Sequence, residues 1–175
     1  MVRILETLFP GLARSGYRIT STKDRRYNCV AWAAGEDHRW WSPDLAGRYY
    51  WPAGATRTET LTAVSEAFGT LGYIECDTDT PEDGFEKIAL FADTNGAPTH
   101  VARQLATGSW ASKLGEMEDI EYDLRALEGS EYGQMAKVMK RPLAPGQSGV
   151  FLETCISARI LAFRGTRLRR HPFIS

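Results

Sequence analysis

The clearest hydrophobic pattern of the chain lies in residues 56–73 and predicts an amphipathic helix. Apolar side chains recur there three or four residues apart, and Thr58 or Thr60 stands before them as a candidate N-cap. A stripe of this kind is typical of a helix packed on a core, so we assign it to the core and not to a cofactor site. The stripe consists of Leu61, Val64, Ala67, Phe68 and Leu71.

A shorter helix is predicted at residues 28–34, where the sequence is NCVAWAA. Asn28 is a suitable N-cap, small or apolar residues follow it, and Gly35 stands at the end. The apolar composition predicts that most of this helix is buried. Cys29 is therefore expected in the first turn of a buried helix.

The segment between these helices has no clear period, and we interpret residues 36–55 as an aromatic-rich loop. It contains three tryptophans, two tyrosines and two prolines. Two interpretations are open: the loop closes one edge of the core, or its rings form a wall of a binding cleft, since aromatic side chains with polar atoms favour half-wet surfaces. The rings concerned are Trp40, Trp41, Tyr49, Tyr50 and Trp51, with Trp40 and Trp51 as the candidate substrate contacts.

The second half of the chain alternates between apolar and polar residues, a pattern typical of β-strands. FEKIALFA, THVARQL and SWASKLG predict three strands, and ATG predicts a hairpin tip between the last two. DIEYDL predicts a further short strand. The segment SEYGQMAKVMKRPL, residues 130–143, predicts a helix that ends at Pro142, and residues 149–165 predict one or two more strands.

The first 27 residues predict an irregular arm on the surface of the domain, because Pro10, Gly11 and Gly16 interrupt them. Helices then come first along the chain and an antiparallel sheet follows. This order predicts one α+β domain over residues 1–175, a length that supports a single buried core.

The composition makes several function classes poor candidates. A formal net charge of −1 gives no overall field that would attract nucleic acid or an anionic membrane, and no apolar run has the length of a secretion signal or a membrane span. Motifs of the HExxH, CxxC and GxxxxGK[ST] types do not occur, so we expect no metal and no cofactor. Three cysteines without a pairing pattern fit a reducing, cytoplasmic location. The oligomeric state stays open.

Cys29 and His100 are the best candidates for chemistry. The free amides and the dipole at a helix N-terminus lower the pKa of a thiol, and a nearby imidazole can take its proton. Of the three histidines, His100 stands at the start of a predicted strand, after the turn-forming NGAP. The next predicted strand brings Ser112, and a turn at Gly115 brings Asp119, as the residue that orients the imidazole, and both stay open. Cys76 and Cys155 are interpreted as small core residues.

YNCVAWA, PTHVARQL and SWASKLG together resemble the papain-like cysteine hydrolases in their small bacterial forms, such as the NlpC/P60 and CHAP amidases and peptidases. The resemblance implies a papain-like fold in which N-terminal helices pack on an antiparallel β-sheet. It implies Cys29 as nucleophile, His100 as general base and Ser112 or Asp119 as the orienting residue. It also implies that Tyr27, Asn28 and the Cys29 amide lie at the oxyanion.

The chain departs from this pattern in two respects: it lacks the DCSG form of the cysteine motif that is common in NlpC/P60 enzymes, and no residue clearly matches the third catalytic position. A second resemblance covers roughly residues 17–141. There the chain is similar to an uncharacterised bacterial family with YNC-WA, THxARQL and WxSKLG motifs, and this likeness implies no activity.

The expected function is hydrolysis of amide or isopeptide bonds in a peptide or protein substrate through a thioester. Resolution of the thioester by an amine would make the protein an acyltransferase, and attack on a glutamine amide would make it a deamidase. The alternative is a non-catalytic module that binds a partner through the aromatic loop at residues 40–51.

Overall fold

The computed structural model describes residues 2–143, in which short helices pack on both faces of a seven-stranded antiparallel sheet. The helices are α1 (Val2–Leu8), α2 (Pro10–Ser15), α3 (Cys29–Ala33) and α4 (Leu61–Gly69), and a 3₁₀ turn spans Leu124–Leu127. The strands are β1 (Tyr17–Ile19), β2 (Ile74–Cys76), β3 (Phe85–Ala92), β4 (Pro98–Gln104), β5 (Trp110–Lys113), β6 (Asp119–Tyr122) and β7 (Gln134–Pro142).

The strands lie side by side in the order β1-β6-β5-β4-β3-β7-β2, and every neighbouring pair is antiparallel. The centre of the sheet is therefore a meander of β3, β4, β5 and β6, consecutive strands that pair with their neighbours along the chain. The later strand β7 inserts between β3 and β2. The α+β prediction is confirmed at this level.

The two faces of the sheet carry separate hydrophobic clusters. Ile88 and Leu90 of β3 pack with α3 and α4, whereas Ala89 and Phe91 pack with α1, α2 and the turn Leu124–Leu127. We call these the α3 face and the α1 face. They follow from the alternation of side chains along a strand, so neighbouring residues of β4 also belong to opposite faces.

The local signals in the sequence identified both of the predicted helices that contain a capping residue. The Asn28 side chain accepts a hydrogen bond from the Ala31 amide at 3.2 Å, and the Thr60 hydroxyl accepts one from the Ala63 amide at 3.2 Å. The strands predicted from FEKIALFA, THVARQL, SWASKLG and DIEYDL are confirmed as β3 to β6. The hairpin tip at ATG is confirmed by the Leu105 amide, which donates to the Ser109 carbonyl at 2.8 Å.

The prediction of a helix at residues 130–143 is wrong. Met135, Val138 and Met139 have the spacing of a helical stripe, but this segment forms β7, which pairs with β3 on one side and β2 on the other. Two ladders of backbone hydrogen bonds, which a short sequence window cannot reveal, outweigh a weak local preference. The predicted strands at residues 149–165 and Cys155 lie outside the described residues.

The prediction of an irregular N-terminal arm is also wrong, because this segment supplies α1, α2 and the edge strand β1. Pro10 does not break a helix here, since it occupies the first turn of α2, where its missing N–H has no intrahelical partner in any case. Gly11 allows α2 to approach the 3₁₀ turn, because a Cβ atom there would lie 2.3 Å from the Ala126 carbonyl oxygen. Both residues are therefore structural parts of a packed helix pair.

Gly133 is the glycine in the described residues at which a side chain would be most disruptive to the sheet. Its φ is +70°, and a Cβ atom at this position would lie 1.9 Å from the carbonyl oxygen of Ala92. We expect Gly133→Ala to lower the free energy of unfolding by at least about 2 kcal/mol, because the left-handed backbone conformation is strained and the main chain of β3 must also move.

Urea denaturation of Gly133→Ala beside Gly96→Ala separates these two causes. Gly96 has a similar φ of +80°, but no atom lies within 4 Å of its added Cβ, so its substitution measures backbone strain alone. A loss of stability in Gly133→Ala no larger than that in Gly96→Ala would show that the contact with Ala92 costs nothing.

Among residues 2–143, no helix has the length and apolar character needed to cross a membrane.

Candidate functional site

Cys29 is the first residue of α3, as its sequence context predicts, and it is completely buried. Asn28, directly before it, caps the helix and also fixes the aromatic loop: its side-chain amide donates to the Trp41 carbonyl at 2.8 Å, and its side-chain oxygen accepts from the Trp41 amide at 3.3 Å. One side chain therefore holds both the helix start and the loop in place. This role differs from the oxyanion role that the resemblance implies for Asn28.

The Cys29 sulfur lies among hydrogen-bond donors but out of contact with water. Burial raises the pKa of the Cys29 thiol to about 12, although the backbone amides of Val101, Val30 and Cys29 and the charge of Lys113 act in the opposite direction. Burial has the larger effect because a thiolate loses its hydration when it is enclosed. In this closed conformation Cys29 is a neutral thiol.

The cysteine helix lies where the sheet is open. β4 and β5 are paired only at Arg103 with Ala111 and at Gln104 with Trp110, so the first half of β4 has no partner in β5. α3 packs against both strands. The Val101 amide that interacts with the Cys29 sulfur belongs to this unpaired half of β4.

His100 is the third residue of β4, and its ring lies on the α1 face of the sheet. It stacks on the Tyr132 ring at 4.1 Å between centroids and 5° between planes, and it meets the Phe91 ring edge-on at 5.8 Å. The side chain is completely buried, and burial alone lowers the pKa of His100 to about 3. The imidazole is therefore neutral in this conformation.

The next two strands hold one nitrogen of His100 in place. His100 Nε2 is hydrogen-bonded to Ser112 Oγ at 2.8 Å, and Ser112 Oγ is hydrogen-bonded to the Tyr122 hydroxyl at 2.9 Å. His100 Nδ1 is buried and has no hydrogen-bond partner among the residues described. A buried nitrogen without a partner costs roughly 1–3 kcal/mol, so an unpaired Nδ1 calls for an explanation.

The structure brings Cys29 and His100 into one neighbourhood without joining them. Within residues 2–143 the Cys29 sulfur and the His100 ring make no hydrogen bond to each other. They do share neighbours, because a negative charge on Cys29 contributes to raising the pKa of Tyr122 and of Tyr132. These are the tyrosine that bonds Ser112 and the tyrosine that stacks on His100.

Ser112, and not Asp119, makes the contact with His100. Asp119 lies on the α3 face, where one carboxylate oxygen accepts a hydrogen bond from the Tyr27 hydroxyl at 2.9 Å and the other is buried without a partner in the described part of the chain. Burial raises the pKa of Asp119, against the hydrogen bond from Tyr27 and the charge of Lys113. Asp119 and Tyr27 thus belong to a polar group on the other side of the sheet.

The local sequence pattern does not identify three further residues that lie near Cys29 and His100 in the structure. Tyr122 and Tyr132 contact His100 or its partner, and Lys113 is completely buried close to the start of α3. Alternation in WASK and DIEY could place Lys113 and Tyr122 on a strand face, but which face is buried, and against what, depends on the packing of α3 and of the 3₁₀ turn.

Two of the five rings of the aromatic loop belong to the core. Trp41 and Trp51 are buried, and their indole nitrogens donate to Glu36 at 2.9 Å and to the Thr56 carbonyl at 3.0 Å. Trp51 therefore does not offer its ring to a substrate in this conformation. Trp40, by contrast, is half-buried.

Two cavities in residues 2–143 do not reach the pair. They measure about 540 and 200 Å³, and Cys29 and His100 line neither of them. The larger of the two lies beside α2 and β1, and the smaller lies beside the loop before β3. Since the side chains of Cys29 and His100 are both completely buried, the site is closed in this conformation.

Residues 2–143 contain no group of three or more histidine, cysteine, aspartate or glutamate side chains arranged to hold a metal ion.

Residues 18–140 match the family DUF7689, which is described as a domain of unknown function. The match covers more than half of the 175 residues, and the chain belongs to this family. It includes Cys29, His100 and Ser112 and almost coincides with the segment that carries the YNC-WA, THxARQL and WxSKLG motifs. No curated protein and no solved structure matches the chain.

Proposed function

We propose that the protein is a cysteine-dependent hydrolase of amide bonds in which Cys29 is the nucleophile and His100 the general base. The observation that carries this proposal is the unpaired His100 Nδ1. Ser112 is hydrogen-bonded to His100 Nε2, and Tyr122 is hydrogen-bonded to Ser112. The Cys29 sulfur interacts with the amide of Val101, the residue that follows His100 on β4. The imidazole is thus held by one nitrogen and has the other ready for a proton.

In the tautomer that suits this task, Nε2–H donates to Ser112 Oγ, and the Ser112 hydroxyl donates to Tyr122. Nδ1 then carries a lone pair and accepts the proton of the Cys29 thiol as the sulfur attacks the acyl carbon. The helix-terminal amides stabilise the oxyanion. His100 returns the proton to the leaving amine and a thioester forms, which water then hydrolyses with His100 again as base.

The proposed fold for this chemistry is papain-like, in keeping with the order of cysteine helix, histidine strand and polar partner strand. The substrate class is a peptide or protein amide, and acyl transfer or deamidation by the same thioester are the neighbouring reactions. Since both members of the pair are completely buried, the reaction requires a conformation in which the site opens. Water entering that conformation brings both pKa values back toward their ordinary range.

The pH profile of Cys29 alkylation tests the pair. We expect the full chain with Cys76→Ser and Cys155→Ser, in which Cys29 is the only thiol, to react with iodoacetamide at pH 7 at least about tenfold faster than the same protein with His100→Gln. The parent should react faster because His100 takes the thiol proton of Cys29 in the open conformation. Intact-mass spectrometry measures the rate from pH 6 to 10.

Ser112→Ala is the graded variant in this experiment, since it leaves His100 present but removes the partner of Nε2. We expect its rate at pH 7 to fall between those of the parent and of His100→Gln. Identical rates in all three proteins, rising tenfold per pH unit, would mean that Cys29 is an ordinary buried thiol that is exposed only by random opening.

A further inference from the structure

Lys113 is a buried cation beside the cysteine helix, and the proposed mechanism gives it no task. It is the last residue of β5, next to Ser112, but its side chain belongs to the opposite, α3 face of the sheet because Lys113 pairs with Asp119 of β6. No part of Lys113 is exposed. Burying an ammonium group is expensive unless an anion or several acceptors compensate it.

The two direct contacts of Lys113 are with uncharged groups. Its Nζ donates to the Met117 carbonyl and lies 5.0 Å from the centre of the Tyr27 ring. Among residues 2–143 no carboxylate forms an ion pair with it. Its partner across the strands, Asp119, accepts the hydrogen bond of the Tyr27 hydroxyl instead. A carbonyl and an aromatic face stabilise the ammonium only in part.

The residues that lead into α3 lie beside this cation. The ring under Lys113 belongs to Tyr27, two residues before Cys29, and α3 packs against β5. The charge of Lys113 lowers the pKa of Cys29, and a negative Cys29 in turn raises the pKa of Lys113. The two groups therefore stabilise each other's charged forms.

We propose that Lys113 is a positioning residue for the nucleophile: it supplies a fixed positive charge that stabilises the Cys29 thiolate, while His100 takes the thiol proton and becomes an imidazolium. This inference rests on the proposed function. Lys113 keeps its three protons throughout, and the thiol proton passes to His100. The buried ammonium thereby obtains an anionic partner once Cys29 ionises.

A few other charged or titratable groups surround Lys113 and Cys29. Asp119, Asp24 and Glu118 face Lys113 and raise its pKa, against burial, which lowers it. Tyr122 and Tyr132 face Cys29 from the α1 face. These groups are anionic or neutral, so Lys113 is the fixed positive charge that acts on Cys29, beside the imidazolium that forms on His100.

The test uses alkylation of Cys29 by iodoacetamide from pH 6 to 10, again in the full chain with Cys76→Ser and Cys155→Ser. We expect Lys113→Met to slow the reaction at pH 7.5 about tenfold or more and to move the profile to higher pH, because the thiolate loses its counter-charge. Lys113→Arg should stay within about threefold of the parent, since it keeps the charge. Lys113→Gln is the second neutral variant if Lys113→Met does not fold.

Lys87→Met is the matched control, because Lys87 is also completely buried, but it lies on β3 and bonds the Thr78 carbonyl at 3.0 Å. It should leave the profile unchanged. Equal slowing in Lys113→Met and Lys113→Arg would overturn the inference, since a packing effect would then explain it. An unchanged Lys113→Met beside a slow His100→Gln would overturn it and leave the proposed function standing, whereas no effect in either would contradict both.

Discussion

Lowering the pH from 7.5 to 4.5 is expected to remove about 3 kcal/mol of stability through His100 alone. The unfolded chain protonates this imidazole below its ordinary pKa of about 6.5, whereas burial holds the pKa of the folded form at about 3. Between these values the unfolded state binds one proton more than the folded state. The free energy of unfolding therefore falls by up to about 1.4 kcal/mol per pH unit as the pH drops.

Other groups also titrate in this range, so the comparison must be with a variant. Hydrogen bonds from Arg26 lower the pKa of Asp24 to about 2, which adds acid sensitivity, while burial raises the pKa of Asp119, which acts in the opposite direction. His100→Gln keeps these groups and removes only the imidazole.

Urea denaturation of both proteins at several pH values gives the result. Between pH 6 and pH 4, we expect the free energy of unfolding of His100→Gln to fall less steeply with decreasing pH than that of the parent. The difference in slope should approach that of one proton, about 1.4 kcal/mol per pH unit. Parallel curves would mean that His100 is accessible to protons in the folded protein, and the closed site described above would then be incorrect.

Trp41→Ala is expected to lower the free energy of unfolding by about 3–5 kcal/mol, the usual loss for truncating a large buried aromatic residue. Trp41 is only 1% exposed, packs in the α3-face cluster and meets the Tyr50 ring edge-on at 4.9 Å. Its indole nitrogen also donates to Glu36. The substitution removes packing and leaves the half-buried Glu36 carboxylate with one donor fewer.

Trp40→Ala is the matched control, since it removes the same side chain from the neighbouring position of the same loop. Trp40 is half-buried, with its ring 6.3 Å from that of Tyr49, and we expect its loss to cost about 1 kcal/mol or less. Thermal and urea denaturation measure both. Similar losses for the two variants would contradict the assignment of Trp41 to the core and Trp40 to the surface.

The outcome also bears on the alternative function, binding through the aromatic loop. Since Trp41 and Trp51 are core residues, only the outer rings can meet a partner. Tyr50 is 36% exposed, with the Arg39 guanidinium 3.4 Å above its ring. A binding role would therefore depend on Trp40, Tyr49 and Tyr50, and Trp51 would act only by keeping the loop folded.

Much of the local structure could be predicted from the sequence. Asn28 and Thr60 identify two helix starts because a cap is a contact between residues three positions apart. Strand alternation identifies β3 to β6 for a similar reason, since it needs only the neighbouring residues. Two members of the proposed site, Cys29 and His100, could be named from these same local signals.

The sequence by itself thus determined the capped start of α3, the strands β3 to β6 and the hairpin between β4 and β5, and it offered Cys29 and His100 as a candidate pair. Tertiary structure decided that residues 134–142 form a strand between two others. It also decided that Ser112 and not Asp119 bonds His100, and that Lys113 lies beside the start of the cysteine helix, on the face of the sheet opposite to His100. The physical reason is that these outcomes depend on which strands pair and which face each helix covers. Such contacts join residues many positions apart, and no local pattern contains them.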